Sequence, residues 1–160
     1  MTATSDEQVR KPQIWVDADA CPVAVKEVIY KAAGRAKILA VFVANQPLSL
    51  PNSPYLKSQQ VFQGFDKADD YICEGVVSGD LVITQDIPLA ADILEKNAFA
   101  LHPRGDQYSK ETIRAKLKMR DFNETLRASG IHSRGPKSFT AQDKQQFANS
   151  LDRWLAKYCR

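Results

Sequence analysis

Six consecutive apolar residues, Ile38-Leu39-Ala40-Val41-Phe42-Val43, constrain this chain more than any other feature of it. A strand with one wet face alternates apolar and polar side chains, whereas an unbroken run reads as a strand covered on both faces. Burial on both faces belongs to parallel sheets, whose strands are joined by helical crossovers. The flanking segments supply that alternation. Gln13 to Asp17 reads as a first buried strand, followed by a helix from about Pro22 to Ala33, with proline opening it and Gly34 just past its end. Lys37 to Val43 is the second strand. Pro47, Pro51 and Pro54 mark a loop, Gln59 to Gln63 is a short third strand, and Gly64 precedes a helix from about Asp66 to Val76. A fourth strand over Leu81 to Thr84, a helix over Pro88 to Asn97 and a fifth strand over Ala98 to Leu101 complete the pattern. The expected fold class is α/β: a three-layer, Rossmann-like parallel sheet with helices on both faces.

From about residue 106 the alternation gives way to a helical extension. Ser109 is placed to cap a helix running to about Arg120, and Asp121 with Glu124 resembles a capping box opening another, closed by Gly130. Thr140 opens a last helix, on which Phe147, Leu151, Trp154, Leu155 and Tyr158 share one face and read as core packing. Residues 1–12 are expected to form a flexible arm, and 13–160 a single domain. No apolar run reaches the roughly 18–20 residues that span a bilayer. The polar N-terminus lacks the apolar centre of a secretory signal. Cys21, Cys73 and Cys159 are too widely spaced for a CxxC metal pair or a disulfide framework. A cytoplasmic protein with no membrane partner is expected.

Carboxylates carry the chemistry. Asp17 and Asp86 each stand just beyond a strand, at the edge where parallel sheets bind ligands. Asp66, Asp69 and Asp70 open the helix between them, and Asp19 lies two residues after Asp17. Acids on separate rigid elements aimed at one place suit a hard divalent cation, Mg²⁺ or Mn²⁺, which takes oxygen ligands and keeps several waters. Such ions generate hydroxide and stabilise the leaving oxygen in phosphodiester hydrolysis. Each acid also has a simpler use: Asp17 or Asp19 before Pro22, Asp66 before its helix, and Asp86 before Pro88 are all placed to cap a helix. Thr84 and Asn45, at strand ends on the same edge, are second-tier candidates to face the site. Asp80 precedes its strand, at the opposite edge, and reads as structural.

The net charge of +3 is unevenly distributed. Gln13–Ala100 holds seven Lys/Arg against eleven Asp/Glu, whereas Leu101–Arg160 holds thirteen against six. The basic half is either a solvated helical surface or a clamp for a polyanion, and charge alone does not choose. Lys110, Arg114 and Lys118 recur at i, i+4 and i+8 along one helix, with Arg104, Lys116, Arg120, Arg134 and Lys137 nearby. A stripe of this kind contacts nucleic-acid backbone without reading sequence.

Several runs resemble a known family. Trp15-Val16-Asp17-Ala18-Asp19-Ala20-Cys21-Pro22-Val23, Phe42-Val43-Ala44-Asn45, Ala68-Asp69-Asp70-Tyr71-Ile72 and Gly79-Asp80-Leu81-Val82-Ile83-Thr84-Gln85-Asp86-Ile87-Pro88-Leu89-Ala90 are similar to segments of the YaiI/YqxD family of bacterial proteins. The likeness continues through Pro103-Arg104-Gly105 and Gly135-Pro136 to the last helix. That family is regarded as related to the PIN-like nuclease fold. The resemblance implies a PIN-like domain whose catalytic acids are Asp17, Asp69 and Asp86, with Asp19 and Asp70 as further metal ligands and Asp66 as a rival to Asp69. The expected function is divalent-metal-dependent hydrolysis of phosphodiesters, in RNA before DNA. Two alternatives stand beside it. Asp17-Ala18-Asp19 also resembles the nucleophile and acid pair of haloacid-dehalogenase phosphatases, although Cys21 stands where those enzymes usually carry Thr or Val, and Gly79-Asp80 lies before a strand rather than after one. The other is a non-catalytic nucleic-acid-binding protein with a degenerate PIN-like site.

Overall fold

The computed structural model describes residues 11–62, 67–130 and 138–159. Most of the expected arm lies outside the described residues, as do Asp66, His132, Arg134 and Lys137. Five strands, β1 (Ile14–Asp17), β2 (Ala40–Ala44), β3 (Leu56–Gln60), β4 (Leu81–Ile83) and β5 (Phe99–Leu101), form an all-parallel sheet in the order β3-β2-β1-β4-β5. The helices are α1 (Val23–Ala36), α2 (Lys67–Gly75), α3 (Ile87–Glu95), α4 (Lys110–Ala128) and α5 (Ala141–Tyr158). The chain winds outward from β1 to β3, then returns to the other side of β1 for β4 and β5. The winding therefore reverses between β1 and β4, which makes their carboxyl ends the natural ligand crevice of the sheet.

Alternation along the central strands sorts the core into two layers. Ile14, Val16, Ala40, Phe42, Leu81 and Ile83 face α1 and α5, where they meet Val25, Ile29, Phe147 and Leu151. Trp15, Val41, Val43 and Val82 face the opposite way, onto Ile72 of α2 and Leu89, Ala90 and Ile93 of α3. Helix α4 lies outside α3, with Ile113 packed against that second layer. The result is the three-layer α/β arrangement with helices on both faces, consistent with a PIN-like fold. Four residues of the α5 stripe are core, Phe147, Leu151, Trp154 and Leu155, whereas Tyr158, expected with them, is 39% exposed at the end of the helix and packs on Phe99 and Trp154 from outside.

Four boundaries differ from the sequence reading. Strand β2 begins at Ala40 rather than Lys37, because Lys37 and Ile38 are used to stop the preceding helix. Helix α1 continues through Gly34 and stops only at Lys37, which is left-handed at φ 58°. Open space surrounds Gly34, so it weakens the helix without ending it. The stop is made by Ile38, which is buried and donates its N–H to the Ala33 carbonyl at 3.2 Å. Strand β3 starts earlier than expected, because Tyr55 and Leu56 pack on the core, while Val61 and Phe62 run off its end. Asp121 and Glu124 do not open a new helix: α4 is continuous, and both acids pair with Arg120, at 3.3 and 3.1 Å. Gly130 does close it, at φ 84°.

At the amino edge of the sheet Asp80 is completely buried. Its carboxylate accepts from the Gln13 N–H (3.0 Å), the Trp15 indole (3.0 Å) and the Val77 N–H (3.1 Å). The structural role expected for it is therefore the observed one. Trp15 in turn lies flat where a side chain at Gly75 would be; a Cβ there would stand 2.4 Å from its ring. Removing an acceptor shared by the buried indole and two part-buried N–H groups should be costly: Asp80→Ala is expected to lower the unfolding free energy by about 3 kcal/mol. Gly34→Ala should raise it by roughly 1 kcal/mol. Urea denaturation of both variants checks the pair, and an Asp80→Ala loss below about 1 kcal/mol would contradict the anchoring role.

Candidate functional site

Asp17 is the last residue of β1, in register with Val43, and Thr84 is the first residue beyond β4. The Thr84 side chain, itself buried, joins the two acids of the switch point. Its Oγ1 donates to Asp17 Oδ2 at 3.0 Å and accepts from the Asp86 N–H at 2.9 Å. Asp86 then caps α3, its Oδ1 accepting the Leu89 N–H at 3.0 Å, so the capping use considered from sequence is real. Asp17 has no such use, since α1 starts at Pro22 without a side-chain cap. Burial pushes the Asp17 carboxyl above its ordinary range, the Thr84 hydrogen bond pulls it back part-way, and the charges of Asp86 and Asp19 push it up. Asp17 is thus held where its ionised form is disfavoured, which a helix cap or a surface acid would not require.

Asp19 lies exposed on the short 3-10 turn after β1 and accepts the Asn45 N–H at 2.8 Å, fastening the end of β2. Gln85 closes the other side, donating to the Ala20 carbonyl at 2.7 Å. Asp69 and Asp70, in the first turn of α2, line a cleft of about 290 Å³ together with Asp86, Asp92 and Arg120. The candidate acids therefore fall into two groups that share Asp86: Asp17 with Asp86 and Asp19, whose charges act on it, and Asp69, Asp70 and Asp92 along the cleft. Among the described residues no three acids, histidines or cysteines stand close enough to hold one ion between them. The donors present fit a hard cation held by one or two carboxylates and otherwise by water, rather than an all-protein cage.

The model of the family described as "Uncharacterized BCR, YaiI/YqxD family" matches residues 15–157. The chain belongs to the YaiI/YqxD family. A UPF0178 protein of Proteus mirabilis is 56% identical over 147 residues, covering 92% of this chain and 97% of its own. UPF0178 proteins of Aeromonas salmonicida (56% over 144 residues, 90% and 96% covered) and Hahella chejuensis (57% over 145 residues, 91% and 97% covered) are similar over the same span. No solved structure gives a significant match. The match to the YaiI/YqxD family spans all the acids from Asp17 to Asp92 and the helices that carry the basic residues.

The basic residues do not all lie where the stripe suggested. Lys110 donates to Asn97 Oδ1 at 3.3 Å, and Lys110 and Arg114 border a groove with Asp92 and Glu95, so acids of α3 partly balance them. Lys118 is exposed. Two residues displaced on the same helix, Lys116 and Arg120 are the ones that border the cavities at the carboxyl edge of the sheet. Arg104 pairs with Asp143 at 2.6 Å and stacks over Phe139, tying the loop after β5 to the start of α5. It also lines a cavity of about 280 Å³ with Gln85, His102, Tyr108, Lys116 and an acid, Asp106. His102 Nδ1 accepts the Arg104 N–H at 2.9 Å, and burial pulls its pKa down.

Three contributors escaped the sequence reading. Tyr108 is buried and donates to the Thr84 carbonyl at 3.1 Å, bracing the residue that joins the acids. Asp92 stands on α3 at a spacing that signals nothing, and Arg120 was legible only as one of several nearby cations. Cys21 is not reactive: burial pushes its thiol up to about 12.

Capping and charge make opposite predictions for two neighbouring acids. Asp86→Ala should cost about 1 kcal/mol of stability and Asp86→Asn almost nothing, since Asn caps as well as Asp. Asp17→Asn should melt at or above the wild-type temperature in metal-free buffer, because it removes a half-buried charge repelled by two others. Thermal melts in chelator read all three, and a clear fall in melting temperature for Asp17→Asn would mark Asp17 as structural.

Proposed function

We propose that this protein is a divalent-metal-dependent nuclease acting on RNA. One observation carries the reading: Thr84 holds Asp17, from β1, beside the backbone of Asp86, from β4, at the switch point of a parallel sheet, with Asp17 in a setting that opposes its charge. Charge held against its preference is characteristic of functional sites rather than of folding. Mg²⁺ or Mn²⁺ held there would offset that repulsion and would supply the chemistry for phosphodiester hydrolysis, an activated water and stabilisation of developing charge.

The chain's own residues divide the remaining work. Asp17 and Asp86 would hold the ion, Thr84 orients Asp17, and Tyr108 braces Thr84 through its carbonyl. Asp69 and Asp70, from α2, line one cleft with Asp86 and would add negative charge to the site. Lys116 would provide a cation at the rim for the phosphates of the strand, whereas Arg120 is engaged by Asp121 and Glu124. The likeness of the YaiI/YqxD family to PIN-like nucleases points the same way, since PIN domains place acids at these three points in this order.

Calorimetric Mn²⁺ titration paired with a cleavage assay on single-stranded RNA and DNA tests the proposal. Wild type should bind the ion and cut RNA. Asp17→Asn and Asp86→Asn should lose at least about 100-fold in rate while remaining folded. Thr84→Val should weaken ion binding by roughly 10–100-fold, and Thr84→Ser should restore it. Absence of Mn²⁺ binding at millimolar ion, or RNA binding that is salt-sensitive and indifferent to metal, would replace the nuclease with a non-catalytic nucleic-acid-binding protein. Turnover of p-nitrophenyl phosphate without RNA cleavage would replace it with a phosphatase.

A further inference from the structure

Helix α4 runs for 19 residues, none of them buried. Its contacts fix which way it faces. Ile113 packs on the second core layer, and Leu117 lines the groove against α3. A helix turns by about 100° per residue. Ala115, Met119, Phe122 and Leu126 therefore share the opposite face, half a turn from Ile113 and Leu117. Met119 is 60% exposed and Phe122 58%, although both are large and apolar. Three residues apart, they are neighbours on the helix surface. A helix that packs along one side normally turns polar residues to the other. A contiguous apolar stripe on the outer side marks a surface that meets a partner.

The pattern of the stripe says which partner. Its spacing of four, three and four residues is that of the seam between two paired helices. The residues bordering it are Thr112, Asn123, Thr125 and Ser129, with one charge of each sign, Glu111 and Lys118. The ion pairs of Arg120 with Asp121 and Glu124 lie off the stripe, and Lys116 turns to the cavity beyond β5. This face therefore matches neither a polyanion nor a strongly charged protein, and two copies of it do not repel one another. It is also complementary to itself. Two α4 helices laid antiparallel, about a two-fold axis between Arg120 and Asp121, set Met119 opposite Phe122 of the second copy. The same register sets Ala115 opposite Leu126, so a small side chain meets a large one at each end. An isologous contact of this kind closes a dimer.

We infer that the outer face of α4 is the interface of a homodimer, in which two copies of this helix pair antiparallel. Met119 and Phe122 form its centre, where a thioether meets an aromatic ring. Two helix faces of about four turns bury less surface than a standard interface, so the dimer is weak and forms in the micromolar range. Pairing leaves the acids and the cleft uncovered, because they lie on the inner side of α4. The inference therefore stands apart from the nuclease reading.

Sedimentation velocity of the full-length chain, from about 1 μM to about 500 μM, tests it. Wild type should pass from monomer to dimer across that range. Met119→Glu and Phe122→Lys, each at an exposed position, should weaken association by at least about tenfold. An equimolar mixture of the two variants should recover the dimer. The antiparallel register sets the introduced acid against the introduced amine, while the remaining Phe122 meets the remaining Met119. A wild type still monomeric at the highest concentration, or a dimer indifferent to both substitutions, overturns the interface. Variants that each dissociate but do not pair when mixed overturn the second copy in this register as the occupant. A melting temperature of dilute Phe122→Lys clearly below that of wild type would show the ring packed within its own chain, and would overturn the interface as well.

Discussion

The buried carboxylate of Asp80 is the contact on which the placement of the other elements depends. It gathers the start of β1, the Trp15 indole and the turn before β4 onto one acid. Fixing the indole fixes the surface on which Gly75 closes, and that contact leaves no room for a side chain at the end of α2. The position of α2 decides how near Asp69 and Asp70 come to the opposite edge of the sheet. An acid at the amino edge thus helps set the geometry of acids at the carboxyl edge. Its charge is compensated by three donors, which is why it stabilises, whereas Asp17 has one hydroxyl and two repelling neighbours.

That contrast separates structural from functional acids more sharply than burial does. Asp86 satisfies both demands, since its Oδ1 caps α3 while its charge presses on Asp17. Asp19 fastens Asn45 and at the same time contributes to the repulsion. Each of these acids repays part of its electrostatic cost locally through a backbone hydrogen bond. Asp17 alone relies on Thr84. On the nuclease reading, a cation at this edge would act mainly on Asp17, with Asp69 and Asp70 on the cleft that Asp86 also lines.

Much of this was legible in the sequence, for identifiable reasons. The apolar runs of β1, β2 and β4 are buried on both faces, so their composition alone marks them, and the acids that follow them fall at the carboxyl edge by topology. Ser109, Thr140 and Gly130 acted as their residue types predict. Gly34 misled because a glycine on an open helix face is indistinguishable in sequence from one past a helix end; the burial of Ile38 made the difference. Asp121 and Glu124 misled because the spacing of a capping box is also that of a helical ion pair, and Arg120 was there to form it.

The order β3-β2-β1-β4-β5 gives the carboxyl edge a direction. Neutral amides and Phe62 lie beyond β2 and β3, the acids lie at β1 and β4, and His102, Arg104 and Lys116 lie beyond β5. With neighbouring strands about 4.8 Å apart, the whole edge spans roughly 19 Å, enough for only a few nucleotides. Charge along it is uneven: acids stand at its centre, at β1 and β4, while on the β5 side Asp106 shares the cavity with Lys116 and Arg104 is paired with Asp143. On the nuclease reading, a phosphodiester crossing the centre would be repelled by Asp17 and Asp86 until a divalent ion stood between them, so substrate and metal would bind together rather than independently.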